Sequence, residues 1–184
     1  MKIKDILKNV CAFLTFKDAL NYLENNSQAT SDTLKKVNDL TRFSNIVISE
    51  LAAGYIPMTY KEVVSLENGK LFFSNLTFNA TKIISVTDKN GEKINYTLYP
   101  AYAKVDISEC TVEYEYAPAN YGLNDDIGFN SSVASSLLAY GVAAEYCISE
   151  GRFEEGIMWR KRFTYGVEKI VLPKSARLKD RCWL

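Results

Sequence analysis

The stretch CTVEYEYAP, residues 110–118, decides how the middle of this chain is read. In an extended backbone, successive side chains point to opposite faces. Val112, Tyr114 and Tyr116 therefore share one face, and Thr111, Glu113 and Glu115 share the other. An apolar face backed by a polar one marks an antiparallel strand exposed on one side. The same character extends upstream. From Met58 to Pro118, β-branched and aromatic residues dominate, broken by turn signals. Asn68-Gly69 and Asn90-Gly91 offer the positive φ angles of a type I′ turn, so each predicts a hairpin. After the second turn, Ile94, Tyr96 and Leu98 alternate with Lys93, Asn95 and Thr97. Roughly five or six strands are expected between Thr59 and Tyr116.

Helical spacing appears on both sides of this region. Ile3, Ile6, Leu7, Val10, Phe13 and Leu14 form a first amphipathic run. A short helix is expected from Lys17 to Glu24, with Phe16, Ala19, Leu20 and Leu23 on one side, before Asn25-Asn26-Ser27 breaks the pattern. Ser31 is the expected N-cap of a long helix, with Asp32 in its first turn. Its stripe is Leu34, Val37, Leu40, Thr41, Val47, Ile48, Leu51 and Tyr55, and Gly54 and Pro57 end it. Ala117 to Gly128 reads as a loop. From Asn130 to Glu150, small or apolar residues occupy nearly every side, which predicts a helix buried all round. Gly141 and Ala144 leave room for a close neighbour, and Gly151 suits the C′ position. A last helix is expected from about Phe153 to Leu172, burying Trp159, Phe163, Val167 and Ile170.

Strands do not alternate with helices, so a doubly wound parallel sheet is not expected. The expected fold is α+β: a helical bundle from both chain ends, an inserted antiparallel β subdomain and an extended C-terminal tail. The expected divisions are 1–57 for the N-terminal helices of the bundle, 58–118 for the inserted β subdomain, 119–172 for the C-terminal helical hairpin and 173–184 for the docking tail.

Composition narrows the function classes. The 184 residues are 47% hydrophobic and 24% charged, ordinary globular usage. Basic and acidic residues balance at 22 each, so a global electrostatic footprint for nucleic acid is missing. The chain has no histidine. That rules out Ser-His-Asp and Cys-His hydrolases and removes the commonest metal ligand. Cys11, Cys110, Cys147 and Cys182 form no Cys-x-x-Cys pair and read as small buried hydrophobes, compatible with cytoplasmic synthesis. Asp5, Lys8 and Asn9 interrupt the N-terminal apolar run, so no signal peptide is expected. No run is long enough to span a bilayer, and no membrane partner is expected.

Candidate chemistry is thin. Glu113 and Glu115 can point the same way, as paired carboxylates do in glycoside hydrolases, but an exposed strand face carries such residues routinely. Asp125-Asp126 lacks the further oxygens of a calcium loop. Glu154-Glu155 sits where it compensates a helix dipole. Arg160-Lys161-Arg162 spreads around a helix and reads as a solvated or subunit-contacting face. No catalytic, cofactor-binding or metal-ligating residue is expected.

The ending KSARLKDRCWL, residues 174–184, is different. It carries Lys174, Arg177, Lys179 and Arg181 against Asp180, then Trp183 beside Leu184. Trp and Arg are the residues most enriched at interface hot spots. One reading docks Arg177, Lys179, Arg181, Trp183 and Leu184 on another subunit. The other folds Trp183 back onto the chain's own core.

Three stretches carry a family resemblance. LLAYGVAAEYCISEGRFEEGIMWRKRF (137–163) resembles the paired C-terminal helices of phage neck proteins. The strands punctuated by Asn-Gly and ending in VEYEYAP resemble their middle segment, and RLKDRCWL (177–184) resembles their basic, Trp-containing C-termini. The chain thus resembles the head-to-tail adaptor (connector) proteins of tailed bacteriophages, closest to the tail tubular protein A type. The resemblance implies a structural protein of the virion neck, made in the bacterial host cytoplasm. It implies a ring of identical subunits, commonly a dodecamer, that joins the portal protein to a tail or stopper protein. The ring would extend the DNA channel without sequence-specific DNA binding. It also implies that the C-terminal tail docks on the portal or on a neighbouring subunit. The simplest adaptors are purely helical, so the β insertion departs from them. Competing readings are another tail-completion or baseplate component, a ligand-binding module using the β subdomain, and an enzyme working through carboxylates.

Overall fold

The computed structural model describes residues 1–25, 29–129 and 132–171. The chain is α+β. Its described residues form five α-helices and six strands, the strands arranged as two three-stranded antiparallel sheets. Two compact units divide it, one of Met1–Val47 with the chain from Tyr121 onward, the other of Ile48–Asn120. The division falls inside the third helix.

In the first unit, α1 (Ile3–Phe13) buries Ile3, Ile6, Leu7, Val10 and Cys11, the expected stripe. It ends in a Schellman arrangement: the Phe16 N–H donates to the Cys11 carbonyl at 2.9 Å. The left-handed residue there is Thr15, φ 59°, where glycine is the usual choice. α2 (Lys17–Asn25) follows and buries Ala19 and Leu23. α3 (Ser31–Gly54) is capped one residue earlier than the sequence suggested. The Thr33 N–H donates to Thr30 Oγ1 at 3.2 Å, and the Thr30 carbonyl accepts from Leu34 at 3.0 Å. Thr30, not Ser31, performs the N-cap chemistry. Val37, Leu40, Val47, Ile48 and Leu51 are buried, whereas Leu34 and Tyr55, at the two ends of the stripe, are exposed. Ser44 joins the buried side by donating to the Leu40 carbonyl at 2.9 Å.

α4 (Ser135–Ser149) is the centre of this unit and packs against α1 and α5 (Phe153–Val171). Its buried residues, from Leu137 to Cys147, point all round the helix. Gly141 is a point of close approach on α4. A Cβ there would stand 2.7 Å from Val47 Cγ1 and 3.2 Å from the Phe163 ring. The turn into α5 is a second Schellman motif, with Gly151 at φ 75° and Arg152 N–H donating to the Cys147 carbonyl at 2.8 Å. α5 buries Gly156, Trp159, Phe163 and Val167. Phe13, Tyr140 and Trp159 stack at centroid distances of 5.1 to 5.7 Å and tie α1, α4 and α5 together.

In the second unit, β6 (Glu109–Tyr116) is the middle strand of the larger sheet, between β1 (Met58–Ser65) and β3 (Ala80–Thr87). Cys110, Val112, Tyr114 and Tyr116 are buried and the residues between them are half-buried, so the alternation in the quoted stretch holds. β5 (Tyr102–Lys104) separates β2 (Lys70–Phe72) from β4 (Thr97–Leu98) in the smaller sheet. Of the two expected hairpins, the first needs correction and the second forms in shortened form. Asn68 and Gly69 do adopt positive φ, 54° and 70°, and Glu67 and Lys70 exchange two backbone hydrogen bonds. The turn then leads nowhere as a hairpin, because β1 pairs with β6 and β2 with β5. At the second turn only Gly91 has positive φ, and the Asp88 carboxylate accepts from the Asn90 and Glu92 N–H groups. The turn is of another type, stabilised by a side chain, but it does close a short hairpin: Thr87 and Lys93 bridge antiparallel, the Asp88 N–H donates to the Glu92 carbonyl at 3.0 Å, and the Ile94 N–H donates to the Val86 carbonyl at 2.9 Å. Of the strand expected over Lys93–Leu98, only Thr97-Leu98 forms regular pairing.

Candidate interaction surfaces

The residues expected to dock, Arg177, Lys179, Arg181, Trp183 and Leu184, lie outside the described residues, so the geometry bears on the other candidates. Glu113 and Glu115 share the polar face of β6, yet each has its own cross-strand partner. Ser85 Oγ donates to Glu113 at 3.2 Å, and Lys82 Nζ pairs with Glu115 at 3.4 Å. Asp125 accepts from the Gly122 N–H at 2.7 Å within its own turn, and Asp126 lies 3.6 Å from the Met1 ammonium. Among the described residues, no group of three or more His, Cys, Asp or Glu is arranged to hold a metal ion. Cys11, Cys110 and Cys147 are free and buried. Burial pushes the Cys11 thiol up to about 11, with Lys36 opposing the shift, so the thiol stays neutral. No described helix is long and apolar enough to cross a membrane.

The basic run on α5 is split three ways. Arg160 pairs with Glu145 at 3.1 Å. Arg162 lies over the Trp159 ring at 4.8 Å. Lys161 is exposed. Glu155 pairs with Arg152 and accepts from Trp159 Nε1.

One polar cluster was not visible in the sequence. The fully buried Tyr114 donates its hydroxyl to Glu62 Oε1 at 2.6 Å and accepts from the Phe78 N–H at 3.2 Å. Glu62 also accepts from the Thr77 N–H at 2.9 Å and the Thr77 hydroxyl at 2.6 Å. Burial and the bond to Glu62 push the Tyr114 phenol up to about 12. Burial acts to raise the Glu62 carboxyl, but the bonds from Thr77 and Tyr114 together hold it below its ordinary value. The cluster pins the 73–79 segment to the β1–β6 ladder. The sequence signal was a tyrosine on an apolar face, whose hydroxyl must find a partner, but nothing named Glu62, fifty-two residues away.

Among the described residues, three exposed surfaces bear on docking. On α5, Phe153 (62% exposed), Ile157 (53%) and Tyr165 (60%) are exposed, and Ile157 and Tyr165 border, with Ile148 of α4, a groove of about 350 Å³. In the second unit, Phe73, Ile83, Leu98 and Tyr99 line a groove of about 250 Å³. The third is the outer edge of β1. Leu66 N–H donates to the Ser108 carbonyl in continuation of the β1–β6 register. Alternate pairs are hydrogen-bonded in an antiparallel ladder, so Thr59, Lys61, Val63 and Ser65 direct their backbone groups away from β6. Among the described residues, no backbone hydrogen bond reaches that edge. β3, the opposite edge, is interrupted by two register shifts and is a poorer template for pairing.

No protein-family model matches the chain, and no curated protein matches it.

Proposed function

We propose that this chain is a structural protein of a phage virion, a head-to-tail adaptor whose copies form a ring between the portal and the tail. The observation that carries the reading is the sequence resemblance over residues 137–163 and 177–184. What supports it is that the first of these stretches folds as a tightly packed helix pair, α4 and α5, with one face left open to a partner. On this reading the helices of both chain ends make a bundle, the β subdomain is its insertion, and the chain beyond Val171 is an extended latch. Trp183 and Leu184 anchor the latch on the portal or a neighbouring subunit, and Arg177, Lys179 and Arg181 pair with carboxylates there. The ring extends the DNA channel in the virion neck. Its work lies in surfaces and symmetry, and no residue is assigned to catalysis or to a cofactor.

The test mixes the purified chain with portal rings and images the particles. A second collar of density at one end, lost when residues 174–184 are deleted, is the expected result. No collar with either form removes the portal-proximal assignment. A second reading, a ligand-binding module, is favoured by the apolar groove of Phe73, Ile83, Leu98 and Tyr99. It requires saturable binding of a small ligand that is lost in Leu98→Asp.

A further inference from the structure

We propose that the outer strip of α5 is a contact surface for a second copy of this chain, the two α5 helices lying antiparallel about a two-fold axis at Thr164. The inward side of α5 is taken by Gly156, Trp159, Phe163 and Val167. Ile157, Thr164 and Val171 recur every seven residues, so they line up along one flank, about a quarter turn from the buried stripe, and all three are exposed. Lys161 and Glu168 flank the same line. They are about 10.5 Å apart along their own helix, too far to pair with each other. Among the described residues, no ion pair engages either one. The neighbouring charges are occupied: Arg160 by Glu145, Glu155 by Arg152 and Lys169 by the Tyr165 ring.

An antiparallel second copy satisfies all five positions at once. Thr164 meets Thr164, Ile157 meets Val171, and Lys161 meets Glu168, the last two contacts occurring twice by symmetry. In a parallel pair, with the two-fold axis along the helices, Lys161 and Glu168 would lie on the opposite flank of the contact from their counterparts and would not meet, so only the antiparallel pairing joins the two charges. The basic C-terminal segment of the same chain is a poor occupant, since Lys174, Arg177, Lys179 and Arg181 would approach Arg160 and Lys161. A two-fold contact closes at two copies, whereas a ring needs a head-to-tail contact. The pairing therefore goes beyond the adaptor reading and does not rest on it.

The test is sedimentation equilibrium of the full chain from about one to several hundred micromolar. A dimer with a dissociation constant on the order of ten to a hundred micromolar is expected, since one helix face is a small interface. Lys161→Glu and Glu168→Lys should each weaken the pairing about tenfold, since each leaves like charges facing one another. An equimolar mixture of the two variants should pair again, because one copy then carries two acids and the other two bases on the strip. Both changes are on the surface, and unchanged circular dichroism verifies the fold. A monomer at every concentration overturns the proposal and leaves the strip to the chain beyond Val171 or to another protein. Variants that pair like the parent, or a mixture no better than its components, overturn it equally.

Discussion

α4 and β6 each hold the middle of a unit, but by different means. α4 is buried nearly all round and meets its neighbours through small residues. At Gly141 the missing side chain is itself the fit. β6 buries every second residue, and its largest buried side chain, Tyr114, is tied by its hydroxyl to Glu62 and Phe78. The helical unit is therefore specified by volume, and the sheet unit by a polar partnership as well as by volume. One should fail when a methyl group is added where there is no room. The other should fail when a single oxygen or its partner is taken away.

The largest effect is expected from Gly141→Val. The new side chain would collide with Val47 Cγ1 and the Phe163 ring, costing about 3 kcal/mol. Gly54→Ala is the control. Nothing stands within 4 Å of a Cβ at Gly54, and alanine there should be neutral or stabilise by up to about 1 kcal/mol. Urea unfolding of the two variants separates fit from helix propensity. Equal midpoints would break the comparison on the helical side.

On the sheet side, Tyr114→Phe and Glu62→Gln should each cost about 1–2 kcal/mol. Their pH dependences should differ. Glu62 is held below its ordinary 4.5 in the folded chain, so its contribution is present above pH 4.5 and is lost as pH falls through the lower folded value. Tyr114 is raised from 10.0 to about 12, so its contribution is whole below pH 10 and is lost between pH 10 and about 12. Glu62→Gln should flatten the acid limb of stability against pH, and Tyr114→Phe the alkaline limb. If both limbs survive in both variants, the cluster does not specify the unit.

The smallest effect is a gain. Thr15 is a β-branched residue at φ 59°, and a left-handed backbone costs such a residue roughly 1 kcal/mol or more. Thr15→Gly should raise the melting temperature by several degrees, corresponding to about 1 kcal/mol. An unchanged melting temperature would mean that Thr15 Oγ1, which donates to the Leu14 carbonyl at 2.7 Å, offsets the strain.

The helices were legible because their information is local. The stripes over Ile3–Leu14 and Trp159–Val167, the Gly151 terminator and the all-round burial of α4 all follow from spacing along a few turns. The period of β6 was legible for the same reason. Period two says which face a residue takes but not which strand lies beside it. The order β1-β6-β3 and the split into two sheets were therefore out of reach, and Asn68-Gly69 predicted a hairpin where only a turn exists. Thr30 displaced Ser31 as the cap because two hydroxyl residues in a row are equally good candidates in sequence. The α5 strip was partly legible. Helical spacing alone spreads Arg160-Lys161-Arg162 around the helix, but only the packed structure shows that Arg160 and Arg162 are engaged. The docking residues from Arg177 to Leu184 stand on sequence alone.

The order β1-β6-β3 also has a consequence in time. β1 and β3 have a common partner in their sheet, and it is the last strand of the unit to be made. About fifty residues follow Ser65 before Tyr116 is added. At roughly 5–20 residues per second, β1 leaves the ribosome about 3–10 s ahead of the strand that will pair with it. Throughout that interval Tyr60, Val63 and Val64 have only the charges of Lys61 and Glu62 to discourage pairing with another nascent chain.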